Sequence, residues 1–455
     1  MSHAIQDALD LLERALIHHE HRPVGTVATC DPRVAAANYH DCFVRDFVPS
    51  ALIFLLDGRT DIVRDFLHLV MRLKDQHEQL AGQHLATGVL PASFKITREP
   101  DGSETVSADF GDRAIGRVAP VDSMMWWILL IRAYTRATGD RTLAELPECQ
   151  RQIRQILNLC LQGRFEVFPT LLVPDGCFMI DRRMGVNGHP LEIQALFHAM
   201  LEAALELLVP DEGNQWLIEL TRSRLDVLRD YVRHFYWLDL ARLNEIHRYS
   251  TEMFGAEIEN PLNIYPESIP DWVVDWLPEG AGYLLGNLGP SRFDPRFFAQ
   301  GNLLAAMFGL ASPTQSRQIL QTFEQRWDDL VGRMPLKICY PALDGKEWRL
   351  VTGSDPKNTP WSYHNGGNWP VLLWPFVAAC LQHDRRDLAE RAFAIAQERL
   401  PRDRWPEYYD GRQGRLIGRR ANFDQVWSAT ALILSRMMLD APDSLIRLGF
   451  GSLPR

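Results

Sequence analysis

Two segments far apart in the chain each place one carboxylate among apolar and aromatic residues. Asp181 lies in segment 179–185 (MIDRRMG), and Glu407 lies in segment 405–410 (WPEYYD). Both segments contain too many Gly, Pro and polar residues to form a helix interior. Cleavage of a glycosidic bond needs two such carboxyls, one protonated and one ionised at the working pH. The pair is therefore a candidate general acid and general base.

The protonation state of Asp181 does not follow from its neighbours alone. Burial against apolar side chains raises the pKa of a carboxyl, whereas a nearby guanidinium lowers it. Asp181 is followed by Arg182 and Arg183 and so receives both influences. At this level it is either a catalytic acid or a buried structural Asp paired with one of these arginines.

Other polar residues lie beside Trp and Tyr in segments predicted to be loops or helix starts. Carboxylates, amides and guanidinium groups bind vicinal hydroxyls, and aromatic rings cover the apolar faces of a sugar. The pattern therefore favours a neutral polyhydroxyl ligand. Asp46 and Asp122 also have a structural interpretation as first-turn charges favoured by the helix dipole, and Arg45 as the ion-pair partner of Asp46. The segments are 38–47, 109–112, 116–123, 188–194, 263–267 and 357–369.

Composition excludes several classes of partner. The 455-residue chain has a formal net charge of −10 and contains no Lys/Arg-rich run, so a nucleic-acid partner is not expected. The longest apolar runs, such as 124–131, are too short to span a bilayer, so no membrane partner is expected either. Seven scattered Cys without a CxxC motif indicate reduced thiols and a cytoplasmic location.

Metal and phosphate sites are also not predicted. The tract 18–21 (HHEH) lacks the HExxH spacing and closes a predicted surface helix, so a solvated face explains it better than a metal site. The Gly-rich stretch 280–282 lacks the Gly, Lys and Ser/Thr of a phosphate-binding loop. We therefore expect no metal site.

Helical periodicity recurs along almost the whole chain. Short polar turns join several helices into pairs, with Asp140 and Ser312 as candidate N-caps. Long connections, roughly 83–119, 163–187, 236–295, 334–367 and 401–419, separate the pairs. This asymmetry predicts one domain over residues 1–455, built as a closed ring of helical hairpins with long loops at one end. Short strands are expected at 176–180 and 346–351. The predicted helices are 4–20, 38–56, 59–82, 120–138, 141–162, 188–208, 211–235, 296–309, 312–333, 368–383, 385–400 and 420–439.

Long motifs along this chain resemble those of the alkaline/neutral invertases, glycoside hydrolase family 100, of bacterial or cyanobacterial type. They run in the family's order from about residue 38 to 427. The motifs are NYHDCFVRDFVPSAL, DFGDRAIGRVAPVDS, MIDRRMGVNGHPLEIQALF, NIYPESIPDWVVDW, GYLLGNL, GSDPKNTPWSYHNGGNWPVLLW and WPEYYDGRQGRLIG.

The resemblance implies an all-α fold, the (α/α)6 barrel, and inverting hydrolysis of sucrose to glucose and fructose without metal or organic cofactor. It implies Asp181 as the general acid and Glu407 as the general base. Motif residues expected to line the sugar site are Asp46, Asp122, Arg183, His189, Gln194, His364 and Asn365. The polar and aromatic segments add Tyr39, Arg45, Trp126, Tyr265, Trp361 and Gln425 as further candidates.

Segments 40–42, 250–255 and 422–430 depart from the family pattern and leave substrate preference open. The first alternative is an inverting glucosidase acting on another small disaccharide such as trehalose. A sugar isomerase or epimerase would instead rely on His acid/base pairs, and a catalytically inactive sugar-binding protein would not need the carboxylate pair. Self-association into a homo-oligomer is a further expectation for a barrel with apolar exposed helices.

Overall fold

The computed structural model describes residues 2–34, 38–73, 86–111, 118–163, 168–180, 182–253, 255, 258, 260, 263–289 and 292–450. Asp181 lies outside these ranges. Helices form the framework, and short strands occur in the connections. In chain order the helices are α1 (His3–Arg14), α2 (Val44–Leu56), α3 (Thr60–Leu73), α4 (Ser123–Thr138), α5 (Thr142–Glu145), α6 (Pro147–Leu161), α7 (Leu191–Leu207), α8 (Gln215–Tyr231), α9 (Leu240–Arg248), α10 (Asp271–Trp276), α11 (Ala299–Met307), α12 (Pro313–Gln325), α13 (Trp327–Leu330), α14 (Gly345–Thr352), α15 (Leu373–Gln382), α16 (Arg386–Arg399), α17 (Val426–Asp440) and α18 (Ser444–Arg447).

The strands form five small antiparallel sheets rather than one continuous sheet in the described ranges. Four sheets are two-stranded, β1–β2, β6–β7, β8–β9 and β10–β11, and the fifth has the order β3–β4–β5. The strands are β1 (Leu16–His19), β2 (Arg22–Thr26), β3 (Cys42–Phe43), β4 (Ser93–Arg98), β5 (Glu104–Asp109), β6 (Trp237–Leu238), β7 (Tyr283–Leu284), β8 (Asn287–Gly289), β9 (Arg292–Asp294), β10 (Phe297–Phe298) and β11 (Cys339–Tyr340).

Six helices form an inner layer in which each packs against the next. The order is α2, α4, α7, α11, α15 and α17, and α17 packs back against α2. These helices are apolar around most of their circumference, which is favourable only where other elements surround them. Helix α4 shows this, because it is buried continuously from Ser123 to Thr135.

Amphipathic helices cover the inner layer. Helices α1, α3, α8, α12 and α16 pack against inner helices, and α6 packs against α8. Helix α3 buries Ile62, Val63, Phe66, Leu67 and Val70, the spacing of a single helical face. The predicted N-cap at Ser312 is confirmed, because Ser312 and Gln315 form a complete capping box at the start of α12.

The chain alternates between inner and outer helices. The starts of α2 and α4 meet where Arg45 contacts Asp122, and those of α7 and α11 meet where Gln300 donates to Glu192. Each N-terminus carries a partial positive charge, which stabilises carboxylates placed close to it. This end of the fold is suited to hold several acidic side chains together.

Several predicted boundaries shift because short strands or turns take over the ends. The predicted strand 346–351 is wrong, since these residues lie in α14, and 176–180 keeps only an isolated bridge between Cys177 and Pro120. Helix 4–20 ends at Arg14 because β1 pairs with β2. Helices α2, α11 and α15 start later than predicted, because β3, β10 and a 3-10 turn, respectively, precede them. The segment 141–162 divides into α5 and α6, and 312–333 into α12 and α13. The expected helical continuation over 74–82 lies outside the described residues.

The segment after α18 packs into the interior of the helical framework. Phe450 is fully buried, and its ring centroid lies 6.5 Å from that of Trp126, 5.7 Å from that of Phe308 and 6.4 Å from that of Trp374. Arg132 of α4 donates to the Gly449 carbonyl at 2.6 Å. The end of the described chain thus joins residues of three inner helices.

Candidate active site

Glu407 is a buried carboxylate held by three donors. Its Oε1 accepts a hydrogen bond from the Tyr39 hydroxyl at 2.8 Å. Its Oε2 accepts from the backbone N–H and side-chain amide of Asn422, at 3.3 and 3.1 Å. Burial raises the pKa of Glu407, whereas the Lys357 charge and these hydrogen bonds oppose the rise. Burial therefore makes Glu407 a stronger base than a solvent-exposed carboxylate, while its donors and Lys357 stabilise the ionised form in which a general base acts.

A second group of carboxyls surrounds Arg45. Arg45 Nη1 donates to Asp122 at 2.9 Å, and its Nε lies 3.5 Å from Asp46. Burial raises the pKa of Asp46 to about 7; Arg45 lowers it, and the charges of Asp122 and Glu407 raise it further. Burial also raises the pKa of Asp122. The charge of Glu407 thus acts on a member of the Arg45 group.

Glu192, in the first turn of α7, is a third acidic member of the Arg45 group. Its Oε1 accepts from the Met179 backbone N–H at 3.3 Å and from the Gln300 amide at 3.5 Å. Burial raises the pKa of Glu192 to about 8; the Asp122 charge adds to the rise, and Arg45 opposes it. Glu192 is therefore protonated at neutral pH.

The turn that follows Asp181 is anchored on both sides, although Asp181 itself lies outside the described residues. Arg183 pairs with the buried Asp355 at 3.1 Å. Arg296 donates to the Met184 carbonyl at 2.9 Å. The 6.5–9.5 Å separation that an inverting pair requires stays a prediction.

The connection before α15 brings aromatic and basic groups to Glu407. Lys357 Nζ lies 3.8 Å from the Tyr363 ring centroid, and the His364 ring lies 4.1 Å from that of Tyr363. Burial lowers the pKa of His364 well below its usual value, assisted by the charges of Lys357 and Arg45. A neutral imidazole of this kind is a poor general acid, which disfavours the isomerase interpretation.

Two aromatic residues of this connection have left-handed backbones. Trp361 has a φ of +66° and Tyr363 a φ of +50°. Such conformations cost about 1 kcal/mol or more for bulky residues and persist where neighbours hold them. Gly411 donates to the Trp361 carbonyl at 2.7 Å, and Trp369 Nε1 donates to the Tyr363 carbonyl at 3.0 Å. These hydrogen bonds hold the two strained residues in place.

Three of the residues predicted to contact the sugar have side chains that form hydrogen bonds within the protein. The Gln194 amide exchanges hydrogen bonds with both backbone groups of Leu171 at 2.8 and 2.9 Å. The Asn365 amide does the same with Leu343 at 2.7 and 2.9 Å. His189 Nδ1 hydrogen bonds to Thr170 at 2.8 Å. These side chains hold the loops that form the site.

The remaining candidates are less closely grouped. Trp126 is buried against Phe450, in the interior, whereas Tyr265 is 45% exposed and donates to Glu252 at 2.7 Å. The structure therefore brings neither of them to Glu407. Gln425 is buried at the start of α17, and its N–H donates to the Trp405 carbonyl, two residues before Glu407.

Sequence reasoning did not select four residues of this site. Asn422 lies in a run that departs from the family pattern, so its contact with Glu407 had no motif signal. Lys357, Tyr363 and Glu192 stand inside the quoted motifs, but an exposed Lys, a loop Tyr and a first-turn Glu each have ordinary structural explanations. These four residues are recognised as part of the site by their positions in the fold and not by their residue types.

Replacing Tyr39 by Phe is expected to raise the pKa of Glu407, because the ionised carboxylate loses its strongest donor. A base must be ionised to act, so the acidic limb of kcat/KM should move upward by about one pH unit. The measurement is the pH profile of kcat/KM. Tyr409→Phe is the matched control, since Tyr409 donates instead to Asp403. An unchanged profile for Tyr39→Phe would contradict this role.

Replacing Asn365 by Ala is expected to destabilise the fold by about 3 kcal/mol, because buried backbone groups of Leu343 lose their partners. Denaturant unfolding measures the change. Asn244→Ala is the control: its amide donates to Leu240 on an exposed helix, so the free energy of unfolding should change by less than about 0.5 kcal/mol. Similar values for both variants would refute the scaffold role.

Glu192 is expected to make stability pH-dependent. The unfolded carboxyl titrates near 4.5 and the folded one near 8, so the folded state binds more protons between these values. Stability therefore falls as pH rises through this window. Glu192→Gln should reduce this fall by more than about 1 kcal/mol. Urea unfolding of the wild-type and Glu192→Gln proteins at pH 5 and pH 8 measures this difference. The same change in the free energy of unfolding for both proteins would show that Glu192 is ionised in the folded state.

Comparison with solved structures concerns the fold. The mannosylglycerate hydrolase of family GH63 from Thermus thermophilus matches with a TM-score of 0.57 and 12% identity, over 95% of this chain and 100% of that one. A rhamnosidase from Klebsiella oxytoca matches with a TM-score of 0.54 and 17% identity, over 95% and 63%. At these identities the likeness concerns the fold alone. The chain therefore shares the helical fold of these two sugar hydrolases.

The sequence comparisons identify the family. The model described as alkaline and neutral invertase matches residues 8–442. Alkaline/neutral invertase CINV2 of Arabidopsis thaliana is 50% identical over 443 residues, covering 97% of this chain and 79% of that protein. Cytosolic invertase 1 of Oryza sativa subsp. japonica gives the same identity and coverage. The chain belongs to the alkaline and neutral invertase family, which confirms the resemblance seen in the motifs.

Two further observations concern partners. None of the helices in the described ranges combines the length and hydropathy of a bilayer-spanning segment. Within the same ranges, no group of three or more His, Cys, Asp and Glu side chains is arranged to hold a metal ion.

Proposed function

We propose that this protein hydrolyses sucrose to glucose and fructose with inversion at the anomeric carbon. Family membership supports the substrate and the reaction. The observation that supports the mechanism is the setting of Glu407, a buried carboxylate with Tyr39, Asn422 and Lys357 around it.

Asp181, protonated, gives its proton to the glycosidic oxygen as the bond from that oxygen to the anomeric carbon breaks. Glu407, ionised, takes a proton from a water molecule whose oxygen bonds to the same carbon from the opposite face. When the two products have left, Asp181 is deprotonated and Glu407 is protonated. Proton exchange with solvent then restores the enzyme. Positive charge on the sugar ring in the transition state is stabilised by the acidic side chains around it.

The carboxyls grouped around Arg45 are suited to bind the sugar hydroxyls. Asp46 titrates near neutral pH, so it can donate or accept a hydrogen bond. Arg45 is fixed by Asp122 and presents a rigid donor. Among the candidate sugar contacts, Asp46 is the one we assign most directly to the sugar, because the charge of Glu407 acts on it.

We further propose that the six inner helices and their outer partners form an (α/α)6 barrel, a single domain over residues 1–455. The continuous packing from α2 through α17 and back to α2 supports this arrangement. The expected cytoplasmic location agrees with the name of the rice relative, cytosolic invertase 1. Homo-oligomer formation stays a prediction, tested by light scattering on the purified protein.

Anomer-resolved NMR of sucrose hydrolysis tests activity, stereochemistry and the bond cleaved in one experiment. We expect the first-formed product to have the anomeric configuration opposite to that in sucrose. Retention would exclude the proposed role of Glu407, and an absence of hydrolysis would exclude the function. A parallel panel of disaccharides separates the alternatives, since faster turnover of trehalose than of sucrose would replace the proposed substrate.

A further inference from the structure

A cavity lies against the turn that follows Asp181. It has a volume of about 320 Å³, which is at the lower end of the range for small-molecule sites. One wall is Gly185, whose backbone φ is +74°. Its other walls come from α10, from β8 and β9 with the residues after them, and from α14. The lining includes Gly185, Trp272, Phe293, Asp294, Arg296 and Glu347.

The charges of this cavity select the class of ligand. Arg296 is already paired with Asp294 at 2.6 Å, and Glu347 adds a further carboxylate. The described lining therefore carries more negative than positive charge, which disfavours a phosphate or carboxylate ligand. Carboxylate oxygens remain good acceptors for hydroxyl groups. A neutral polyhydroxyl molecule fits this lining best.

The apolar walls support the same class. The rings of Trp272 and Phe293 are both partly exposed, so each offers a flat apolar surface next to the acidic groups. Trp272 is held edge-on to Trp276 and Tyr340, at centroid distances of 6.1 and 6.3 Å. Rigid rings beside hydrogen-bonding groups are the usual features of a site that binds a sugar ring.

The cavity is mechanically connected to the candidate acid. Arg296 lines it and also donates to the Met184 carbonyl at 2.9 Å, three residues after Asp181. Asn287, another lining residue, donates to the Asn187 carbonyl at 2.8 Å and accepts from the His189 N–H at 2.9 Å. A molecule in the cavity would therefore contact the groups that fix this turn.

We propose that this cavity binds a neutral monosaccharide, and that its occupancy changes kcat by acting on the turn that follows Asp181. The choice of a hexose rests on the proposed function, because glucose and fructose are then the products present at the site. The site differs from the one at Glu407, since the two share none of the described residues that define them.

Crystals of the Glu407→Gln protein soaked with glucose test binding directly. We expect glucose both in the cavity and beside residue 407. Glucose beside residue 407 alone would overturn this inference and leave the proposed function intact. Glucose in the cavity alone would support the inference and count against the proposed function, and glucose at neither position would count against both.

Glu347 offers matched variants, because it is exposed on α14 and has no part in the proposed chemistry. Glu347→Trp should fill the cavity and reduce the calorimetric stoichiometry of glucose from two sites to one. Glu347→Gln should keep both sites, because a neutral ligand does not require the charge. Loss of the second site in both variants, or binding of glucose 6-phosphate in preference to glucose, would overturn the ligand class.

Initial-rate kinetics test the coupling. Glucose should lower kcat of the wild-type protein by up to about five-fold, and Glu347→Trp should remove this effect while keeping competition for the sucrose site. The same kcat inhibition in Glu347→Trp and wild type would overturn the coupling.

Discussion

Replacing Glu407 by Gln is expected to lower kcat for sucrose by about 10³-fold with little change in KM. The amide occupies the same volume and can still accept the Tyr39 hydroxyl, but it cannot take a proton from water. The loss therefore falls on the transition state rather than on sucrose binding. Steady-state kinetics with purified protein provide the measurement.

Glu390→Gln is the control for this variant, since Glu390 forms an exposed ion pair with Arg386 on α16. It should keep the wild-type rate. Equal thermal unfolding of the two variants would show that the loss of activity is chemical and not a loss of folded protein. More than a tenth of the wild-type kcat in Glu407→Gln would exclude Glu407 as the base.

Replacing Asp181 by Asn is expected to lower kcat for sucrose by a similar factor, about 10³-fold, but for a different reason. The sucrose leaving group needs a proton, whereas the fluoride of a glycosyl fluoride does not. Asp181→Asn should therefore hydrolyse the fluoride at close to the wild-type rate, and Glu407→Gln should hydrolyse neither substrate well. The comparison of two substrates on two variants separates the acid from the base.

Asp175→Asn controls for the position of the loop, because Asp175 is an exposed residue six positions earlier in the same connection. It should behave like the wild-type protein on both substrates. Equal losses on sucrose and on the fluoride in Asp181→Asn would show that Asp181 is not the proton donor.

The paired-helix pattern predicted most of the framework, because long helices with one strong apolar face leave a clear period in the sequence. Boundaries failed where tertiary contacts decide the conformation. The prediction of a helix over 38–56 is one example: Cys42 and Phe43 pair with β4, so α2 starts only at Val44. The run 346–351 is another, since it was predicted as a short strand and lies in α14.

Motif position selected the candidate residues, and the structure shows which partners they have. Arg45 donates to Asp122 and lies beside Asp46, so these three side chains form one group. Asn365 and Gln194 share those motifs, yet their amides hold backbone groups. A polar residue in a motif thus marks either contact with a ligand or support of a loop, and only its partners distinguish the two.

The order in which the chain is synthesised affects when this site can exist. Tyr39 and Glu407 are separated by 368 residues, and α1 packs against α17 near the other end of the sequence. Contacts of such high sequence separation form slowly and leave apolar faces exposed on partly made chains. A chain emerging from the ribosome can therefore form the Tyr39–Glu407 contact only after residue 407 has been synthesised, shortly before α17 becomes available to pack against α1.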